Sequence, residues 1–119
     1  MRAVLVVVLC LWSSVSVAQT PDFKSGNFFL PGCKSFLADL GVTSTVAREE
    51  GECLGIVITL LRFGEELTTQ RRNCAPANIT NGEAIRVVVV FLEARPQRLH
   101  ENFIDLSAEA LAMAWPCKK

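Results

Sequence analysis

Four cysteines, one histidine and two pairs of adjacent glutamates are the residues here whose types could do chemistry. Of the five cysteines, Cys10 sits inside an apolar N-terminal run, which leaves Cys33, Cys53, Cys74 and Cys117. A metal site wants ligands in close pairs such as C-x-x-C, or a cysteine near a histidine. These four are widely separated and the sole histidine is His100. In a short exported chain an even set of this kind reads as two disulfides, with three ways of pairing them, and no metal or cofactor. Asp105 could orient His100 as a base only if a nucleophile came from elsewhere, and bridged cysteines supply none. Glu49-Glu50 and Glu65-Glu66 are neighbours in sequence, so on a helix they point to different faces and read as solvated charge. Gly51, Gly55 and Gly64 lack the strand context of a phosphate-binding loop. The chain reads as a non-enzyme with no catalytic residue.

The expectation of export comes from the first eighteen residues. Met1-Arg2 gives a positive start, residues 3–12 are apolar, and Ser16-Val17-Ala18 offers a small-x-small cleavage site before Gln19. That is the layout of a secretory signal peptide over residues 1–18, and its apolar run is too short for a permanent anchor. Residues 19–119 are then one exported, soluble domain with no stable membrane anchor. Lys plus Arg and Asp plus Glu number 12 each, and losing Arg2 with the leader leaves a single net negative charge. No cluster of Lys and Arg suggests nucleic acid. Two bridges would each contribute about 3 to 4 kcal/mol in the chain-entropy model, which matters because a domain of ~100 residues has little core to spare.

The elements that must position these residues read as helices. Ser25-Gly26-Asn27 suits a helix start through Phe28, Phe29 and Leu30. Pro31 is tolerable only near such a start, and Pro31-Gly32 equally reads as a plain turn. Phe36, Leu37 and Leu40 continue at helical spacing up to a stop at Gly41. Over residues 47–63, Cys53, Ile56, Val57, Leu60 and Leu61 form one apolar stripe. Glu49, Glu50 and Glu52 are placed in its first turn and Arg62 in its last, as the helix dipole prefers. Gly55 inside it implies the close packing of another backbone. Residues 64–78 are polar and irregular, the longest exposed connection, where partner-facing side chains are expected; Glu65, Glu66, Arg71 and Arg72 are the candidates. Thr80-Asn81-Gly82-Glu83 is a capping box. The sequon Asn78-Ile79-Thr80 adds little, since Thr80 has that capping role. The β-branched run Ile85 and Val87 to Val90 suits a buried strand, yet Ile85, Val88, Val89 and Leu92 also share a helical face, and the start signal favours the helix. Pro96 stops it. A last element over residues 101–115 lays Phe103, Leu106, Ala110 and Met113 along one side and Asn102, Asp105 and Glu109 along a polar face; Asp105 or Ser107 could restart it. No internal repeat or domain boundary is visible.

Several blocks together resemble the Tai/Rap family, small periplasmic immunity proteins of bacterial type VI secretion. They are Gly82-Glu83-Ala84-Ile85-Arg86-Val87-Val88-Val89, Phe91-Leu92-Glu93, Pro96-Gln97-Arg98-Leu99-His100 and Ala114-Trp115-Pro116-Cys117. Ser25-Gly26-Asn27 with Cys33, and Cys53-Leu54-Gly55-Ile56-Val57, extend the likeness to residues 25–117. The resemblance implies an all-α fold, a small disulfide-stabilised bundle of about four helices, often dimeric. It implies pairing of Cys33 with Cys53 and of Cys74 with Cys117. It also implies a partner, a peptidoglycan amidase delivered by a neighbouring cell, whose active site the protein blocks. Where relatives carry a second glycine on the second helix this chain has Thr59, and Phe63-Gly64 replaces an acidic stretch. The other reading is a free-standing periplasmic helical module, binding or stress-related, with no amidase partner.

Overall fold

A computed structural model describes residues 24–39 and 43–119. The expected signal peptide and its cleavage site, and the expected stop at Gly41, lie outside these residues. The described chain is all-α: α1 (Gly26–Ala38), α2 (Ser44–Arg62), α3 (Asn81–Glu93) and α4 (Phe103–Ala114), with 3-10 turns at Gly64–Glu66 and Pro96–Arg98. Among the described residues there is no strand, and none of the helices is long and apolar enough to cross a membrane.

Each helix begins on a side-chain cap. Ser25, Thr43 and Asn102 accept from the backbone N–H of Phe28, Val46 and Ile104, satisfying donors that the first turn leaves without partners. At α3 the capping box closes in both directions, with Glu83 N–H donating to Thr80 Oγ1 at 3.2 Å and Thr80 N–H donating to Glu83 Oε2 at 2.7 Å. That local signal decides the β-branched segment in favour of helix, and Ile85, Val88, Val89 and Leu92 all point into the core. The first helix differs from the sequence reading. Pro31-Gly32 is no turn but lies inside α1, which runs unbroken to Asp39, the left-handed residue (φ 51°) that ends it. Likewise α2 starts at Ser44 on Thr43, so Glu49, Glu50 and Glu52 fall beyond its first turn. Glu50 accepts instead from Ser35 Oγ of α1 at 2.7 Å.

The closest backbone approach also falls elsewhere than expected. A side chain on Gly55 would meet nothing within 4 Å, whereas a Cβ on Gly32 would stand 2.5 Å from the Glu49 carbonyl oxygen. The missing side chain of Gly32 therefore lets α1 and α2 cross tightly, and beside that crossing Cys33 and Cys53, both fully buried, close a disulfide. The core continues through Val57 and Leu60 of α2, the inner face of α3, and Phe103, Leu106, Ala108, Ala110 and Leu111 of α4. Met113 lies outside it, 61% exposed, at the rim of a groove it shares with Val87 and Val90 of α3. No restart interrupts α4 at Asp105 or Ser107. The chain entering α1 is hooked to the chain entering α4: Gly26 N–H donates to Glu101 O, Asn27 N–H to Leu99 O, and Phe103 N–H to Lys24 O at 2.7 Å. Phe29 stacks on Phe103 behind that hook, with ring centres 4.6 Å apart.

The two glycines should respond oppositely to the same substitution. Gly32→Ala overpacks the crossing and should lower unfolding free energy by about 1–3 kcal/mol. Gly55→Ala, in open space, should raise it by up to ~1 kcal/mol through helix propensity. Urea midpoints moving in opposite directions would verify the assignment.

Candidate functional site

The long connection after α2 is an ordered loop closed at its own root. Gly64 opens it, and its carbonyl accepts from Asn73 N–H at 3.2 Å, so residues 64–73 leave the body and return to the same point. Gly64 has to lack a side chain because one there would run into the Asn73 carboxamide. Asn73 is 1% exposed, and its Nδ2 donates to the Leu60 carbonyl at 3.1 Å. That carbonyl belongs to the last turn of α2, which has no helical donor of its own. One buried side chain thus ends the helix and fixes the loop's base. Compact loops with closed ends are frequent carriers of function.

Three further ties hold the loop to α4 and the chain's end. Arg71 pairs with Asp105 at 2.8 Å. Cys74 N–H donates to the Trp115 carbonyl at 2.8 Å. Cys74 and Cys117 form the second disulfide, next to a bridge pairing of Asn73 with Pro116. Between these anchors Glu65, Glu66, Thr68, Thr69, Gln70 and Arg72 are exposed.

The structure therefore separates the four candidates. All are on one loop, but Arg71 is committed to Asp105 and holds the loop, while Glu65, Glu66 and Arg72 form no ion pair among the described residues. Asp105 is accordingly engaged away from His100, which is exposed. Sequence reasoning missed the other half of this face. Arg72 shares a cleft of about 360 Å³ with Thr69, Gln70, Met113, Pro116, Lys118 and Lys119. The signal was the pairing of Cys74 with Cys117, which carries residue 118 to the foot of the loop; helical periodicity instead placed Met113 inside.

The lining of this cleft is mainly positive, while Glu65 and Glu66 stand outside it. Arg72, Lys118 and Lys119 form no ion pair among the described residues, and the one carboxylate lining the cleft, Glu109, is already bound by Arg98. Arg98 donates to both oxygens of Glu101 and both oxygens of Glu109, at 2.8–3.0 Å. Those hydrogen bonds hold both carboxyls below their ordinary range and raise the guanidinium's already high pKa. Among the described residues no group of three His, Cys, Asp or Glu side chains could hold a metal ion. The arrangement suits recognition of another surface by a rigid, polar loop.

A family model described as Rap1a immunity proteins matches residues 25–117, from the cap of α1 to the second cysteine of the outer disulfide. The chain belongs to this family. A Rap1a-family chain has an immunity role, and its partner is a protein, the effector it neutralises. No curated protein and no solved structure matches the chain.

Two outcomes follow from the geometry. Asn73→Ala removes the donor to Leu60 and should cost about 1–3 kcal/mol, with amide exchange rising across residues 64–73. The Arg98 clamp adds a pH dependence. Its carboxyls have folded pKa values below the unfolded value near 4.5, so their contribution is full above that pH and is lost as pH falls through the lower folded values. The thermal midpoint should therefore drop more steeply below about pH 4.5 in the wild type than in Arg98→Gln.

Proposed function

We propose that this is a periplasmic immunity protein that binds a peptidoglycan amidase effector of type VI secretion and occludes its active site, without catalysis of its own. The proposal includes export by a signal peptide spanning residues 1–18 and a functional domain of residues 19–119. The observation that carries the reading is membership of the immunity family over residues 25–117, joined to a closed, exposed loop held on a cross-linked helical frame. A loop already ordered before binding loses less conformational freedom on docking, so more of its contact energy appears as affinity. Glu65, Glu66 and Arg72 are the contacts proposed for the amidase, with Arg71 setting the loop's position from behind. A homodimer, which the resemblance implies, is proposed as the resting state and is checked by sedimentation velocity.

Co-expression tests the reading directly. Exported to the periplasm with the secreted amidase encoded beside it, the wild type should restore growth and co-purify with the toxin. Glu65→Ala, Glu66→Ala and Arg72→Ala combined should weaken binding at least about tenfold, or ~1.4 kcal/mol, with the helical spectrum unchanged. Failure to protect against every neighbouring amidase would leave the free-standing helical module as the better description.

A further inference from the structure

The two disulfides occupy opposite environments. Cys33 and Cys53 are each 0% exposed, at the tight crossing of α1 and α2. Cys74 and Cys117 are both partly exposed, flanked by exposed Pro116 and Lys118. Thiol–disulfide exchange needs a thiolate to reach a sulfur. The outer bridge offers that access, and the cations Arg72, Lys118 and Lys119 around its cleft attract an anionic attacker. The inner bridge offers none.

What the outer bridge holds is equally specific. It joins the foot of the loop to a segment 43 residues further along the chain. Without it, the link between loop and chain end is reduced to the Cys74–Trp115 hydrogen bond and the Asn73–Pro116 pairing, both individually weak in net free energy. Neither Cys74 nor Cys117 belongs to the buried core of α2, α3 and α4, which holds the Cys33–Cys53 bridge.

We infer that Cys74–Cys117 is a reducible latch on the loop face, opened by a dithiol while Cys33–Cys53 keeps the helices together. One thiolate of the dithiol attacks one sulfur of the bridge, the S–S bond breaks, and the other cysteine leaves as a thiolate that takes a proton. The dithiol's second thiolate then attacks the mixed disulfide, releasing the remaining cysteine, which is protonated, and closing the dithiol into a cyclic disulfide. Two electrons pass from the dithiol to the protein. The open state loosens residues 64–79 and separates Arg72 from Lys118 and Lys119, dividing the positive cleft. That this regulates partner binding rests on the immunity reading above; the latch itself does not.

The test uses the full chain with dithiothreitol as the dithiol. Stepwise titration, alkylation and peptide mapping should label Cys74 and Cys117 at a concentration that leaves Cys33 and Cys53 bridged. At that point the far-ultraviolet circular dichroism should be retained and amide exchange across residues 64–79 should rise about tenfold or more. Cys74→Ser with Cys117→Ser should reproduce that exchange pattern without reductant. Both bridges opening together, Cys33–Cys53 opening first, or unchanged exchange in the loop after opening would each overturn the latch. These readouts need no partner, so they stand or fall apart from the amidase reading. With the amidase in hand, the selectively reduced protein should bind about tenfold more weakly; equal affinity in the two states would overturn the regulatory consequence.

Discussion

Burying a carboxamide is unfavourable unless its polar atoms find partners, and almost completely enclosed Asn73 meets this by half: its Nδ2 is bonded, while its Oδ1 has no hydrogen-bond partner among the described residues. Its side chain supplies a donor to the last turn of α2, its main chain closes on Gly64, and the next residue starts the outer disulfide. The end of α2, the course of the loop and the location of the chain's end are thereby fixed at one place. Gly64 is the necessary counterpart, since any larger residue would occupy the space the carboxamide fills. The rest of the loop face is built outward from this contact: Arg71 to Asp105 on one side, Cys74 to Trp115 on another.

The division of labour between charges follows from that construction. Ion pairs at half-exposed sites add little stability, so the Arg71–Asp105 pair acts mainly by restraining where the loop can go. Arg98 is different, because one planar guanidinium serves two carboxylates in fixed geometry. It joins the turn before α4 to the middle of α4 and also neutralises Glu109, leaving the adjoining cleft cationic. A protein whose family role is neutralising an effector gains from such a surface, as charge on a rigid rim guides encounter with a partner of opposite sign.

Much of this architecture was legible in the sequence where the determining forces are local. The Thr80–Glu83 box involves four consecutive residues, and it settled the helix over a segment whose β-branched composition argued for a strand. The all-α class and the core positions on α3 were readable for the same reason. Local rules misled where tertiary packing decides. Pro31 gives up one intrahelical hydrogen bond, and periodicity could not reveal that Gly32 beside it offsets this by admitting α2. Gly55 has the same composition but faces open space, a distinction that depends on another helix. Met113 fits the buried spacing of α4, yet it is 61% exposed, at the rim of a groove it shares with Val87 and Val90 of α3. Of the loop face, the four charged candidates were visible as an exposed polar stretch. The role of Arg71 and the contribution of Lys118 and Lys119 were not, since both arise from segments far apart in the chain.

The hook between the starts of α1 and α4 has a bearing on how the protein is made. Lys24, Gly26 and Asn27 find their main-chain partners at Phe103, Glu101 and Leu99, so α1 can dock on α2 and be bridged to it early, but its start is fastened only once residues 99–103 have been made. The ring of Phe29 has no partner to stack on until Phe103 arrives. Assembly therefore finishes with its first and last quarters meeting, and chains cut short before that junction are left with an unfastened front end.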